Sequence, residues 1–191
     1  MKAFLRWMCV AAAVMFGGCV RSLNPLASTE VLLFDPALVG EWSEENSGEA
    51  WAFSARDTDK AYDLVYTDGE KHPARFTARL LELGGVRYLS FTPADVPENP
   101  NGFYQWHLLA THSFLRVKQI EPTLQMQFPD VDWLKALLRE NPTALDHAYV
   151  DDELILTAST PDLQAFWARH AGTDAAFEDP SNMTKKPNAT R

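Results

Sequence analysis

A chain of 191 residues with 46% apolar and 12% aromatic side chains is long enough for one well-buried domain and too hydrophobic to remain disordered. Its 26 acidic residues against 17 basic ones set a formal charge of −9, which argues against DNA, RNA or an anionic lipid surface as a partner.

In chain order, Lys2 and Arg6 lead into ten apolar residues at 7–16, and Gly17-Gly18 then precede Cys19. A positive start, an apolar centre and small residues before a cut make a secretory signal over 1–18, too short to span a bilayer, which takes roughly 20 apolar residues. Its removal takes Cys9 away and leaves Cys19 as the one thiol. It also strips two positive charges, moving the formal charge from −9 to −11. Phe16-Gly17-Gly18-Cys19 resembles the bacterial lipobox. The resemblance implies cleavage before Cys19 and acylation of its sulfur. An acylated first residue accounts for a thiol with no partner, whereas an ordinary signal cut before an incidental cysteine leaves it unexplained. One acyl chain holds a protein only marginally and several hold it stably. Val20 stands where inner-membrane retention places Asp, so the same resemblance implies the periplasmic face of the outer membrane in a Gram-negative host. Residues 19–33 read as the lipidated Cys19 and a tether, since 20–26 have no sustained period and contain Pro25.

Residues 34–172 read as a single β-rich domain. Asp35-Pro36 is a cap ahead of a proline and predicts one helical turn over 37–39. From Gly40-Glu41-Trp42 onward, short runs of period two are separated by turn residues. Trp51, Phe53 and Ala55 share a face, as do Tyr62, Leu64 and Tyr66, then Phe76, Ala78 and Leu80. Asp57-Thr58-Asp59, Asp68-Gly69 and Gly84-Gly85 punctuate them, the last as a tight hairpin. Three prolines make 93–102 a loop. Strands are then expected at 103–110, 113–121 and 123–128, with a turn at Glu121-Pro122.

The period changes at Asp130, which caps a helix near 131–140 carrying Trp133, Leu134, Leu137 and Leu138. Leu154 to Thr157 is one more short strand. Thr160-Pro161 opens a helix near 161–171. Trp133 and Trp167 either pack these helices on the sheet or present a partner surface. The remainder, 173–191, reads as a flexible tail. The whole is mainly β: an antiparallel meander of about eight strands, closing as a barrel or half-barrel, with two short helices in the C-terminal third.

Gly40-Glu41-Trp42 after a helical turn resembles the G-x-W start of lipocalins, and the 161–171 helix resembles their C-terminal helix. That likeness implies a lipocalin-like small barrel and a basic residue packed on Trp42, for which the sequence offers no evident position. The run from Cys19 through Asn24-Pro25-Leu26 and 34–42, with His112-Ser113-Phe114-Leu115-Arg116, is similar to an uncharacterised family of bacterial envelope lipoproteins. It brings no known activity.

Chemistry-bearing patterns are sparse. His107 and His112 are five apart with opposite strand parity and no nearby Cys, which suits structural histidines better than a metal pair. Asp57-Thr58-Asp59 and Asp151-Asp152-Glu153 lack the glycine and terminal Glu of a calcium loop and read as solvated turns. No nucleophile elbow, P-loop, H-E-x-x-H or dinucleotide fingerprint is present, so no cofactor and no catalytic residue is expected. Trp51, Phe53, Tyr62, Tyr66, Phe76 and Trp106 are the candidate lining of a cavity for a small apolar ligand; the alternative is that they fill the barrel. The expected function is accordingly a membrane-anchored binding lipoprotein, or else an envelope scaffold that contacts another protein.

Overall fold

The Asp35 carboxylate accepts a hydrogen bond from the Ala37 amide (3.0 Å) and starts one 3-10 turn, Pro36–Leu38, with proline supplying the preset φ. Gly40 follows at φ +134°, where an added Cβ would meet the Lys185 side chain, and launches the first barrel strand. The computed structural model describes residues 20–45, 47–56, 59–94 and 101–187. The signal segment and Cys19 lie outside them.

The strands are β1 (Arg21–Ser22), β2 (Leu32–Leu33), β3 (Gly40–Ser43), β4 (Ala50–Arg56), β5 (Ala61–Thr67), β6 (Pro73–Leu83), β7 (Val86–Pro93), β8 (Ser113–Gln119), β9 (Thr123–Gln127), β10 (His147–Val150), β11 (Glu153–Leu156) and β12 (Ser181–Lys185). The helices are α1 (Gly102–Trp106), α2 (Val131–Glu140) and α3 (Thr160–His170). Strands β3 to β9 run as consecutive antiparallel neighbours, and β12 seals the gap between β9 and β3. The result is a closed eight-stranded antiparallel barrel, lipocalin-like in form, with no open edge in its wall. The glycine hairpin forms as expected, Gly84 and Gly85 both having positive φ.

Alternation decides which side chains face inward. Trp51 and Phe53 on β4, Tyr62 and Leu64 on β5, and Ala78 and Leu80 on β6 share one inner core. The opposite face of β6 to β8 is also apolar: Leu81, Leu83, Tyr88 and Phe114 are covered by α2, α3 and a small sheet in the order β1-β11-β10. Trp167 is fully buried in this second layer and Trp133 packs on Phe166 and His170, so both helices turn their tryptophans toward the protein. Among the described residues no helix is long and apolar enough to cross a membrane.

Several expectations are corrected, while the short strand near 154–157 forms as read. Residues 20–33 are no tether: β1 pairs in parallel with β11, and Val20 and Leu26 are buried in the outer layer. Over 103–110 there is no strand; the Asn101 side chain accepts from the Tyr104 amide and starts α1. The 154–157 strand exists as β11 but belongs to the outer sheet. Finally, 173–187 is no tail, since it supplies a 3-10 turn, Asp174–Ala176, and the strand that closes the barrel, so the domain runs from 20 to 187. The α3 cap is Ser159, one residue before the position expected; Thr160 instead donates to the Pro25 carbonyl.

Candidate functional site

The two ends of the barrel differ. At one, the 3-10 turn acts as a plug. Leu38 is fully buried, Trp42 Nε1 donates to the Leu38 carbonyl (2.8 Å), and Lys185 lies 5.1 Å from the Trp42 ring while donating to Ala37 O (2.8 Å). Lys185 is the basic partner of Trp42, delivered by the last strand. Tyr62 Oη accepts from Asp35 N (2.7 Å) and donates to Asp35 O (3.1 Å), with Phe34 stacked on its ring at 5.1 Å. Burial raises the Tyr62 phenol above its ordinary pKa, against the opposing hydrogen bond with the Asp35 backbone and the Arg87 charge.

This end and the middle are filled. A side chain bordering a void that admits water would show accessible surface, and Tyr62, Ala78, Leu80, Leu89 and Leu124 show 0%. Val117 and Ile120, each 5% exposed, border a cleft on the outside, and the broader exposed surface lies at the far end. There Trp51 is 9% and Phe91 5% exposed, and Tyr66, Phe76 and Phe128 are half-buried. Register sets Trp51 opposite Tyr66, and Phe76 opposite Leu64 and Pro93, toward the same end of the barrel. Trp51 is central: its ring lies 4.9 Å from Tyr66, 5.6 Å from Phe91 and 6.4 Å from Phe53. The buried Trp51 Nε1–H meets no acceptor among the described residues. An unpaired buried donor costs about 1–3 kcal/mol, which an acceptor brought by a ligand would recover. Trp167 Nε1 is unpaired too, but Trp167 is sealed at 0% whereas Trp51 borders the part-exposed rings.

Five of the six candidate residues therefore face inward. Trp51, Tyr66 and Phe76 form the aromatic end, while Phe53 and Tyr62 belong to the filled part. Trp106 stands on α1, not on a barrel strand, and its side chain lies outside the described residues. Phe91 and Phe128 complete the ring. Both were readable in principle, from Leu89/Phe91 and Leu124/Met126/Phe128 in alternation.

The other candidates separate. His107 Nδ1 lies 2.7 Å from Phe103 O, and His112 Nδ1 lies 2.8 Å from Thr92 Oγ1. Asp151 and Asp152 form the β10–β11 turn, Glu153 pairs with Arg21, and Asp59 pairs with Arg56 and Arg79. Asp57 and Thr58 lie outside the described residues. Among the described residues no group of three or more His, Cys, Asp or Glu could hold a metal. An external cleft of about 530 Å³ is lined by Arg87, Arg116 and Lys118 beside Val86 and Ile120. Its cations are engaged: Arg87 pairs with Asp35 (3.2 Å), and Arg116 bonds Gln127, Ala171 O and Asp174.

Two histidines give the fold a pH dependence. Burial, then the Arg79 charge, lowers the His112 pKa; burial, then Arg169, lowers that of His170. Above the unfolded value of about 6.5 both are neutral in either state and contribute nothing. As pH falls below it the unfolded chain takes protons first, so stability declines until the folded pKa values are passed. Glu178 acts oppositely: burial, then Asp130, raises its pKa, so in acid the folded chain protonates before the unfolded one. The melting temperature should fall between about pH 7 and pH 5.5, less steeply in His112→Asn/His170→Phe, and further into acid, toward the ordinary carboxylate value of about 4.5, Glu178→Gln should be the less stable chain. A pH series of thermal melts checks this, and a flat wild-type profile refutes it.

No family model, no curated protein and no solved structure matches the chain.

Proposed function

We propose that the protein is a lipid-anchored bacterial envelope lipoprotein, acylated at Cys19 and held at the periplasmic face of the outer membrane, whose barrel serves a non-catalytic binding role. Its ligand is small and mostly apolar and carries one hydrogen-bond acceptor. The observation that carries this reading is the ring of Trp51, Tyr66, Phe76, Phe91 and Phe128 at one end of an otherwise filled barrel, with an unpaired indole donor inside it. Aromatic walls with a single placed polar group are how apolar ligands are gripped and oriented.

The test uses residues 20–191, which contain every described element, and two naphthalene probes, one with a ketone and one without. Saturable binding of both is expected. Trp51→Phe should weaken the ketone probe about tenfold, the value of one hydrogen bond of about 1.4 kcal/mol, and leave the other within about twofold. If neither probe saturates while the fragment is folded, the ligand reading is lost. Intact mass of the membrane-derived chain tests the anchor separately: acylated Cys19 at the new N-terminus is expected, and a free thiol there refutes it.

One observation favours the second reading, an envelope scaffold: the absence of accessible surface on Tyr62, Ala78, Leu80, Leu89 and Leu124 shows how little of the interior is available to a ligand. A stoichiometric protein crosslinked in native membranes, together with no probe binding, would select it.

A further inference from the structure

Large apolar side chains left in water are concentrated around β1. Among the described residues, Phe103 (72% exposed), Tyr104 (54%), Leu108 (39%) and Leu109 (71%) lie on α1 and the segment after it, and Tyr149 (48%) and Val150 (53%) lie on the β10–β11 hairpin. Both segments are tied to β1. Ser22 and His112 exchange two backbone hydrogen bonds of 2.8 Å, and β1 lies beside β11 with Arg21 opposite Ile155. Residues 101–112 carry no Asp, Glu, Lys or Arg. Three peptide links separate Ser22 from Cys19, a reach of about 11 Å at most.

We infer that this surface, led by Tyr104, Leu108 and Leu109, rests in the interfacial layer of the same bilayer that holds the Cys19 lipid, so the domain is held against the membrane in a fixed orientation. The inference rests on the Cys19 anchor proposed above. Tyrosine and leucine beside an uncharged backbone are suited to the headgroup boundary, where an apolar body and a polar tip are both satisfied. Asp151 and Asp152 at the hairpin turn and the acidic balance of the chain set the polarity of the surface: zwitterionic lipid fits and anionic lipid does not. The β1 pairings make the arrangement stiff, because Val20 is buried and leaves little slack between the anchor and the loop.

The experiment uses the full mature, acylated chain in vesicles of phosphatidylethanolamine and phosphatidylcholine. With Cys19 acylated, Leu109→Cys introduces the only free thiol, to be labelled with a nitrobenzoxadiazole probe; Ser54→Cys, on the outward face of β4, is the comparison. Lipids spin-labelled near the headgroup should quench the Leu109→Cys probe at least twofold more than the Ser54→Cys probe, with blue-shifted emission. Equal quenching at the two sites in an acylated, vesicle-bound chain overturns the inference and leaves the anchor standing. Concentration-dependent shielding of the same probe on residues 20–191, with neither lipid nor detergent present, marks a second copy as the occupant and also overturns it. A free Cys19 thiol overturns the anchor and the inference together.

Discussion

A chain ending at Pro180 is expected to lose its cooperative unfolding transition. Strand β12 pairs with β9 at four positions and with β3 at two, so its removal opens both flanking strands at once. Met183 leaves the inner core, forfeiting roughly 2–3 kcal/mol of burial. Lys185 leaves the Trp42 ring and the Ala37 carbonyl, and Trp42, fully buried in the intact barrel, faces solvent along that gap. Together with the lost ladder bonds these terms rival the 5–15 kcal/mol by which a whole domain is stable. Near-ultraviolet circular dichroism should collapse and an apolar dye should bind, as in a compact state without fixed packing. A chain ending at Pro187 keeps β12 whole and should melt with the full-length protein. Cooperative melting of the Pro180-terminated chain within about 3 °C of full length would mean that β12 does not hold the barrel shut.

That strand is also where the sequence was least legible. Ser181-Asn182-Met183-Thr184-Lys185 offers one apolar side chain, so no period can be read from it. Its place is decided by the two edges that need a partner, a fact about the closed fold and not about the segment. The opposite case is β4 to β7, where Trp51/Phe53, Tyr62/Leu64 and Leu89/Phe91 alternate with exposed or outer-layer residues and glycines mark the turn. Inner lining residues were legible there for the same reason. Parity says which face of a strand is apolar, but not which sheet the strand joins, so β11 could be found and not placed. Adjacent apolar pairs such as Leu80-Leu81 and Tyr88-Leu89 carried the signal for a second layer, because a strand buried on both faces stops alternating. Two-residue strands such as β1 are too short to show any pattern, and α1 depends on one side-chain cap from Asn101.

Arg116 should prove the costliest single polar residue to remove. It points outward from β8, yet its side chain is only 5% exposed, covered by the segment that leads from α3 to β12. Nε donates to Gln127 Oε1 (3.0 Å), Nη1 to Ala171 O (3.0 Å) and Nη2 to Asp174 Oδ1 (3.2 Å), and the guanidinium lies 3.9 Å from the Phe177 ring centre. The same charge favours the ionised form of the Tyr88 phenol next door, but burial outweighs it and pushes the Tyr88 pKa up to about 12, and its hydroxyl donates to Trp167 O. Arg116→Ala leaves Ala171 O and Gln127 Oε1 without this donor and opens a void beneath Phe177, an expected loss of about 3–5 kcal/mol. Arg116→Lys keeps the charge but not the three-way fork or the flat ring contact, and should still lose about 2 kcal/mol. Asp174→Asn should lose no more than about 0.5 kcal/mol, since that side chain is 85% exposed and its attraction is screened. Urea midpoints with an unchanged m-value would measure all three. An Asp174→Asn loss as large as that of Arg116→Ala would mean that the surface ion pair, and not the buried fork under Phe177, holds the outer layer to the barrel.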